Sequence, residues 1–444
     1  MMRRLFSRTI REAVAMRKHV QRLFNAQRDL LKPEGIGAIQ AKINELNLAI
    51  AANENDGKIR IKTEELQFAA EKWIKTHPHP VWRENVEVLL VAIAVAMGIR
   101  TFFLQPFKIP TGSMQPTLYG VTSTPDFSSA MTETAYIERF GPQEGQVDRL
   151  QKEVRDLAQA QKDLVIPTGW ERIKEWFQGI SYLHVVAKAD GTVDSISPMR
   201  KFLIFNIKQS FTIGGVEQTI WFPPDFGESD LRRRAGILPG RVYHKGEDIV
   251  KIRVRAGDHL FVDRLTYNFR PPKRGDIVVF ETKGIPEDRR RPWGIPDNEF
   301  YIKRLCGLGG ETISLHQDYE ITGVPQPPPL FGNATEPAGN LVINGNPITA
   351  STPKFENLYT FYGATNGATT LPYVENHYYG HALVQGLASG SEVQIPPKHF
   401  FVMGDNTMNS LDSRYWGDFP SDAVIGKSFF VYWPLTRRFG WGND

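Results

Sequence analysis

Residues 276–280 (DIVVF) and 399–403 (HFFVM) are short apolar runs rich in β-branched and aromatic residues, and they typify the second half of the chain. Similar runs occur at 202–205, 259–262 and 428–432, separated by turns containing Gly, Pro or Asp. Such runs are typical of β-strands. Few helix-length patterns lie between them, so we expect a mainly antiparallel β fold and not alternating βαβ units.

A longer apolar segment lies upstream of these strands. Residues 88–99 (VLLVAIAVAMGI) contain no polar residue, and a helix that continues to Phe107 would rise roughly 30 Å, enough to cross a bilayer. Lys or Arg precedes the segment at positions 72, 75 and 83, whereas neither occurs between Lys108 and Arg139. We therefore predict one transmembrane helix over residues 85–107, with a cytoplasmic N-terminus. A buried helix of a soluble protein is the alternative.

The regions on either side of this helix differ in character. Residues 1–84 are predicted to be a cytoplasmic helical region, a hairpin with breaks at 32–35 (KPEG) and 53–57 (NENDG). A helix lying on anionic lipid is the alternative for this region. Residues 108–444 are predicted to form an extracytoplasmic β-rich domain with insertions at about 121–250 and 315–397.

The composition limits the classes of function. A formal net charge of +4 is too small to indicate nucleic-acid binding. The single cysteine, Cys306, excludes an internal disulfide framework and a cysteine-based zinc site. The sequence contains neither His-Glu-x-x-His nor a glycine-rich loop followed by Gly-Lys-Ser/Thr, so a metalloprotease or phosphate-loop enzyme is unsupported. We expect no metal site, no cofactor and no nucleic-acid partner.

Two residues indicate a hydrolytic chemistry. Ser113 lies in residues 109–114 (IPTGSM), and Lys303 lies in residues 299–305 (EFYIKRL). Serine becomes a nucleophile when a base takes its proton, and a lysine can be that base if apolar surroundings keep it neutral. The preceding Pro-Thr-Gly could present the hydroxyl beside backbone N–H donors that hold an oxyanion. Each motif alone is more often an ordinary turn or a solvated strand lysine.

A polar loop follows the run at 399–403. Residues 404–417 (GDNTMNSLDSRYWG) concentrate hydroxyls, carboxylates and an arginine. Such a loop can contain an ion pair and hydrogen-bond a neighbouring lysine, or it can simply stabilise the fold. A Ser-His-Asp triad would need partners such as Asp126, His184 or His244, but nothing in the sequence places them beside Ser113.

Taken in order, these blocks resemble the type I signal peptidase family. The blocks are the apolar segment and then residues 109–118 (IPTGSMQPTL), 257–264 (GDHLFVDR), 274–280 (RGDIVVF), 301–308 (YIKRLCGL) and 404–417. The resemblance implies a membrane-bound Ser-Lys endopeptidase with an antiparallel β catalytic domain. It would remove signal peptides from exported preproteins at the outer face of the cytoplasmic membrane, cutting after small residues of the Ala-x-Ala type.

The same resemblance implies roles for individual residues. Ser113 would be the nucleophile and Lys303 the general base. The Ser113 N–H and the Thr111 hydroxyl would form the oxyanion hole. Three residues of the loop would support the site. Ser410 would orient the lysine, and Asp412 and Arg414 would brace the site. The pockets for small substrate residues would be lined by Ile109, Met114, Leu118, Tyr301 and Ile302.

The sequence departs from the family's pattern at a few positions. Thr111 stands where many members have serine. Gly309 and Glu311 replace a usual proline and aspartate, and Thr407 and Met408 replace a usual Arg-Asp pair. None of these changes removes a catalytic group.

Preprotein signal peptides and membrane lipid are the expected partners, and the secretion machinery is a further candidate. Two other functions remain open: a soluble-type Ser-Lys self-cleaving regulator, and a catalytically inactive, membrane-anchored β-rich binding protein. The apolar segment argues against the first, and the retained Ser113 and Lys303 argue against the second. The sequence does not indicate which preproteins are cut, or what the N-terminal helices and the two insertions do.

Overall fold

The computed structural model describes residues 7–74, 80–202, 205–224, 226, 231–237, 240–326, 332–359, 369–374, 377–384, 386–388 and 390–441. The chain divides into two compact units, Met1–Ala96 and Met97–Asp444. The α-helices in chain order are α1 Arg8–Gln27, α2 Pro33–Ala51, α3 Asp56–Trp73, α4 Pro80–Phe102, α5 Ser128–Phe140, α6 Gln146–Asp163, α7 Gly169–Phe177, α8 Leu231–Ala235, α9 Thr266–Phe269, α10 Glu287–Arg290 and α11 Ser413–Trp416.

Strands account for most of the regular secondary structure of the second unit. In chain order they are β1 Leu104–Lys108, β2 Thr122–Thr124, β3 Ile180–Val186, β4 Gly191–Ile196, β5 Arg200–Phe202, β6 Phe205–Ile213, β7 Val216–Trp221, β8 Val242–Tyr243, β9 Asp248–Arg255, β10 His259–Asp263, β11 Ile277–Glu281, β12 Phe300–Leu308, β13 Thr312–Leu315, β14 Tyr319–Pro325, β15 Asn333–Gly339, β16 Leu341–Ile343, β17 Asn346–Pro347, β18 Thr370–Pro372, β19 His381–Ala382, β20 Glu392–Gln394, β21 His399–Met403, β22 Phe419–Pro420, β23 Val424–Trp433 and β24 Gly440–Trp441.

Helices α1, α2 and α3 of the first unit share one apolar core. Its members lie at helical spacing on the three inner faces: Ile10, Val20, Phe24, Ile39, Ile43, Leu46, Ile59 and Leu66. Ser7 and Asn55 cap α1 and α3 by accepting hydrogen bonds from backbone N–H groups of the first turn. The region therefore has three helices, with junctions near the two predicted breaks, and is more than a simple hairpin.

Helix α4 is long and apolar enough to cross a membrane, and it is the one such helix in the part of the chain that the structure describes. Within its segment Glu84–Phe102, no residue of the most apolar window of 18 residues is buried within the protein. The 23 residues of α4 rise about 34 Å at 1.5 Å per residue. The predicted helix end at residue 107 is wrong: the helix ends at Phe102, since β1 pairs with β10 from Leu104 onward.

An eight-stranded sheet carries the candidate site. The strand order is β1-β10-β23-β11-β12-β21-β22, with β24 added to β23. Strand β12 pairs with β11 from Phe300 to Arg304, but its pairing with β21 begins only at Arg304. Residues 300–303 of β12 therefore have no strand partner, among the described strands, on the edge that faces away from β11. Strand β1 likewise has no described partner on the edge that faces away from β10. Phe107 of β1 and Phe300 of β12 are in edge-to-face contact, with ring centroids 5.4 Å apart, so these two open edges lie close together.

Further sheets occupy the two predicted insertions. Residues 121–250 contribute most of the sheets β2-β9-β3 and β5-β6-β4-β8, with β7 paired to β6, and most of a shared apolar core. Residues 315–397 contribute most of the sheets β17-β16-β13-β20 and β18-β14-β15-β19. Among the described pairs, β14 with β18 is parallel and the others are antiparallel. The predicted mainly antiparallel β fold is confirmed. The strand predicted at 202–205 lies partly outside the described residues.

Asp276, just before β11, ties the second inserted region to the main sheet. Its carboxylate accepts hydrogen bonds from Lys354 Nζ at 2.9 Å, from Arg270 Nη1 at 3.0 Å and from the Lys273 N–H at 3.1 Å. Burial by itself raises the pKa of this carboxyl, but the hydrogen bonds and the nearby lysine outweigh it and lower the pKa from 3.8 to about 2. The charged form of Asp276 therefore stabilises the fold.

We expect an Asp276→Asn variant to lose part of the acid sensitivity of the wild type. Because the pKa of Asp276 is lower in the folded state, its contribution is fully present above about pH 4 and is lost as the pH falls towards about 2. The difference in free energy of unfolding between wild type and variant should shrink by about 2 kcal/mol across that range. Denaturant unfolding in detergent at both ends of the range measures it, and a difference independent of pH would contradict the assignment.

Candidate active site

Ser113 and Lys303 lie in hydrogen-bond contact inside the second unit. Lys303 Nζ donates to Ser113 Oγ at 2.9 Å across 190 residues of sequence. Both residues are buried, with 8% of Ser113 and 5% of Lys303 exposed. The same ammonium or amine nitrogen also donates to the Ile302 carbonyl at 3.2 Å and lies 5.4 Å from the centre of the Tyr301 ring. The structure thus brings together the two residues that the sequence predicted to act as a pair.

The segment that carries Ser113 follows β1 and is held by backbone hydrogen bonds. The Ile109 N–H donates to the Asp258 carbonyl at 2.9 Å, which continues the β1–β10 pairing towards the serine. Asn406 fixes the other side, because its N–H donates to the Ser113 carbonyl at 3.0 Å and its side-chain amide donates to the Gly112 carbonyl at 3.2 Å. Sequence reasoning did not assign this positioning role to Asn406.

Thr111 lies beside the serine hydroxyl. Its Oγ1 is 3.5 Å from Ser113 Oγ, a long hydrogen bond. The threonine therefore places a second hydroxyl next to that of Ser113. Its predicted part in an oxyanion hole depends on a substrate and stays a prediction.

A buried ion pair locks the lysine strand to the serine segment. Arg304 follows Lys303 on β12 and points to the opposite side, as alternate strand residues do. Its Nε and Nη2 donate to the two carboxylate oxygens of Asp405, each at 2.7 Å, and its Nη1 donates to the Gly275 carbonyl at 2.8 Å. The Thr117 hydroxyl bonds to the same carboxylate. Sequence reasoning missed these roles, although Thr117, Arg304 and Asp405 each lie inside one of the quoted blocks.

A second buried ion pair shapes the loop after β21. Arg414 donates through Nε and Nη2 to the two oxygens of Asp412, each at 2.8 Å, and both side chains are inaccessible to solvent. Burial by itself raises the pKa of the Asp412 carboxyl, but the adjacent guanidinium outweighs it, so the pKa lies below its usual value. Arg414 also donates to the carbonyls of Ala382 and Thr407. These two residues thus hold the loop in its conformation. Their predicted bracing of the site stays a prediction.

Gly404 sets how close this loop comes to the serine. Its N–H donates to Asp412 Oδ2 at 2.9 Å. A Cβ built on Gly404 would clash with Ser410 Oγ and with the Ser113 carbonyl oxygen, so no larger residue fits between them. Ser410 is itself buried within this contact. Its predicted role in orienting Lys303 stays a prediction.

The five predicted substrate-pocket residues divide into two groups. Ile109, Met114 and Leu118 are buried in the apolar core of the main sheet, together with residues of β10, β11 and β23. Tyr301 and Ile302 are half-buried along the open edge of β12. Met114 and Leu118 have no exposed surface, so in this conformation they support the serine segment from beneath. Contact with substrate stays a prediction for all five.

A cleft of about 390 Å³ opens beside the serine segment. Thr111, Gly112 and Asn406 line it together with residues of both inserted regions. The cleft therefore lies directly against the turn that presents the serine.

Comparison with protein families identifies the matched part of the chain. The family model described as signal peptidase, peptidase S26, matches residues 82–124 and 250–433, about half of the chain. Ser113, Lys303 and the loop with Asp412 and Arg414 all lie within the match. Residues 125–249 lie outside it, whereas the region 315–397 lies within it.

Individual relatives cover the same region. A signal peptidase I of Leptolyngbya laminosa is 29% identical over 184 residues, which are 41% of this chain and 64% of the relative. A signal peptidase I of Bacillus caldolyticus is 25% identical over 184 residues, 41% of this chain and 74% of the relative. The chain thus spans less than two thirds of the length of the Leptolyngbya protein. A solved signal peptidase I from Enterococcus faecalis is 24% identical, covers 36% of this chain and 97% of its own, and has a TM-score of 0.21, too low to define the fold.

Proposed function

The chain belongs to the signal peptidase family, peptidase S26, and from that membership we propose that it is a membrane-anchored serine endopeptidase that removes signal peptides from exported preproteins. The observation that carries the proposal is the 2.9 Å hydrogen bond from the buried Lys303 to the Ser113 hydroxyl. A nucleophile and its base must be within hydrogen-bond reach of each other, and this pair satisfies that requirement before substrate binds.

In the proposed mechanism a neutral Lys303 takes the proton from Ser113 as its Oγ attacks the scissile carbonyl. Removing an ammonium from water costs several kcal/mol, which favours the neutral amine at this buried position. The Tyr301 ring would favour the ammonium by about 0.5–2 kcal/mol, a smaller effect. The resulting ammonium can return its proton to the leaving amine, and a water molecule then hydrolyses the acyl-serine with the same lysine as base.

Two groups are proposed to stabilise the oxyanion. In the part of the chain that the structure describes, the Ser113 N–H donates to no protein acceptor, so it is available to a substrate oxygen. The Thr111 hydroxyl lies beside it and can turn from Ser113 Oγ to the same oxygen. Preorganised donors of this kind are commonly worth several kcal/mol in the transition state.

The open edges of β1 and β12 support a binding mode for the signal peptide. An extended segment that enters between them would add a strand to each edge and reach Lys303 at the end of residues 300–303. Tyr301 and Ile302 would then contact alternate side chains next to the cut, and limited space there would select small residues. This is the proposed basis for an Ala-x-Ala preference.

Helix α4 is the proposed membrane anchor. It leads through β1 into the serine segment, so the catalytic residues would lie near the membrane surface at which it ends. The distribution of Lys and Arg around the helix supports a cytoplasmic N-terminus and an extracytoplasmic second unit. Signal-peptide cleavage sites emerge at that surface, so the anchor would place enzyme and substrate together.

Cleavage of a purified preprotein tests the proposed function. We expect the full chain in detergent to cut a preprotein once, after the last alanine of an Ala-x-Ala site, as measured by mass spectrometry of both products. A matched preprotein with leucine in place of that alanine should be cut at least about 100-fold more slowly, because a small pocket excludes the larger side chain. Absence of cleavage, or equal cleavage of both preproteins, would contradict the proposal. Loss of mass from the enzyme itself would indicate a self-cleaving regulator instead.

A further inference from the structure

The cleft beside the serine segment has the size of a ligand site. Its volume of about 390 Å³ falls in the range of roughly 300–1,000 Å³ that binding clefts usually have. Its floor is formed by Thr111, Gly112 and Asn406. Asn406 is the residue that holds the carbonyls of Gly112 and Ser113, so a ligand in the cleft would contact the structure that positions the nucleophile.

One wall comes from the first inserted region. Arg234 is only 6% exposed and donates to Asp126 Oδ2 at 2.8 Å and to Ser123 Oγ at 3.1 Å. Asp126 Oδ1 in turn accepts the Ser128 N–H at 2.9 Å. The charges of the wall thus compensate each other, and the exposed Thr122 adds a hydroxyl at its edge.

A second part of the lining comes from the second inserted region and from the loop after β21. Tyr373, His377 and Tyr378 line one part, and Asn409 lines another. Hydroxyl, amide and imidazole groups of this kind can donate to and accept from a peptide backbone. Lysine and glutamate are absent from the described lining residues, so the cleft fits an uncharged polar ligand.

The position of the cleft indicates which part of a substrate would reach it. Under the proposed function, the signal-peptide side of the cut lies between β1 and residues 300–303. None of the described lining residues of the cleft belongs to either of those segments. The cleft lies instead against Thr111 and Gly112, directly before Ser113. With the signal-peptide side assigned to the two open edges, this cleft is left for the chain after the scissile bond.

We infer that this cleft binds the first few residues of the mature protein, those that follow the scissile bond, with a preference for small or polar uncharged side chains. The inference rests on the proposed function and extends it. It gives the two inserted regions a shared role, because each supplies one wall. The wall with Asp126 and Arg234 lies outside the family match, so the preference would be a property of this chain.

Two substrates of different length test the inference. They share an Ala-x-Ala end, but one stops a single residue after the cut and the other continues for six polar residues. The wild type should cut the longer substrate with a kcat/KM about tenfold higher, the effect of one or two added hydrogen bonds. Thr122→Trp, which fills the cleft from an exposed position, should reduce that ratio to about one. His377→Ala, which removes a polar wall group, should lower the ratio in part.

Thr370→Trp is the matched control, because Thr370 is an exposed strand threonine that does not line the cleft. It should keep the tenfold ratio. The inference is overturned if Thr122→Trp keeps the ratio, or if the wild type cuts both substrates equally well. Failure of the proposed function gives a different result, since the wild type would then cut neither substrate.

Discussion

Replacement of Ser113 with alanine is expected to slow preprotein cleavage by at least about 10⁴-fold and to leave the fold intact. Alanine removes only the hydroxyl, which is the proposed nucleophile and the acceptor of the hydrogen bond from Lys303. The loss of one hydrogen bond changes the free energy of unfolding by only about 1 kcal/mol. The large effect on rate with a small effect on stability distinguishes a nucleophile from a structural serine.

The measurement is the initial rate of preprotein cleavage in detergent, together with the melting temperature of each protein. Ser351→Ala is a suitable control, because Ser351 is exposed and lies outside the site. It should cleave at the wild-type rate. A Ser113→Ala protein that cleaves at more than about a hundredth of the wild-type rate would rule out Ser113 as the nucleophile.

Replacement of Lys303 should have an effect of similar size, about 10³-fold or more, because no other base lies within reach of Ser113 Oγ in the described contacts. Two variants distinguish a general base from a residue that contributes only its positive charge. Lys303→Ala removes the group, whereas Lys303→Arg keeps a positive charge that cannot be given up near neutral pH. Both should be inactive if a neutral amine is required.

Lys427→Ala is the matched control for the lysine variants. Lys427 lies on β23 and is partly exposed. Val278 of β11 is paired with Lys427 on one side and with Lys303 on the other, so the two lysines occupy matching positions in the sheet. It should retain activity. Substantial cleavage by Lys303→Arg would contradict the general-base role, and unfolding curves of all three variants would show whether a loss of rate reflects a loss of structure.

Local sequence patterns predicted β10, β11, β21 and half of β23, because each is a short run rich in apolar residues, and β11 and β21 are largely buried. Local patterns could not predict the residue at which α4 ends. Phe102, Phe103 and Phe107 continue the apolar pattern, and only the pairing of β1 with β10, about 155 residues away, shows where the helix stops.

The candidate site shows the same limit. Motif order predicted that Ser113 and Lys303 meet, and the 2.9 Å contact confirms that they do. The same reasoning did not find the link from Arg304 to Asp405 and Thr117, because its three members lie in three different blocks and show no local pattern. Nor did it find Gly404, whose importance lies in the side chain that it lacks.

The pocket residues illustrate a further limit. Ile109, Met114 and Leu118 were assigned to substrate binding by the resemblance to the signal peptidase family. Burial depends on which face of the turn each one occupies, and the structure places all three on the core side. Tyr301 and Ile302 lie at an open strand edge, where backbone pairing leaves room for a peptide.

The most direct test of the central claim, that Ser113 and Lys303 act as one catalytic unit, is the cleavage rate of the double variant Ser113→Ala/Lys303→Ala beside the two single variants. When two residues act as a unit, the effects of their substitutions on the rate are not additive. The double variant should therefore be as slow as either single variant and no slower. A double variant whose loss is the product of the two single losses would show that the residues act independently. That result would contradict the proposed mechanism.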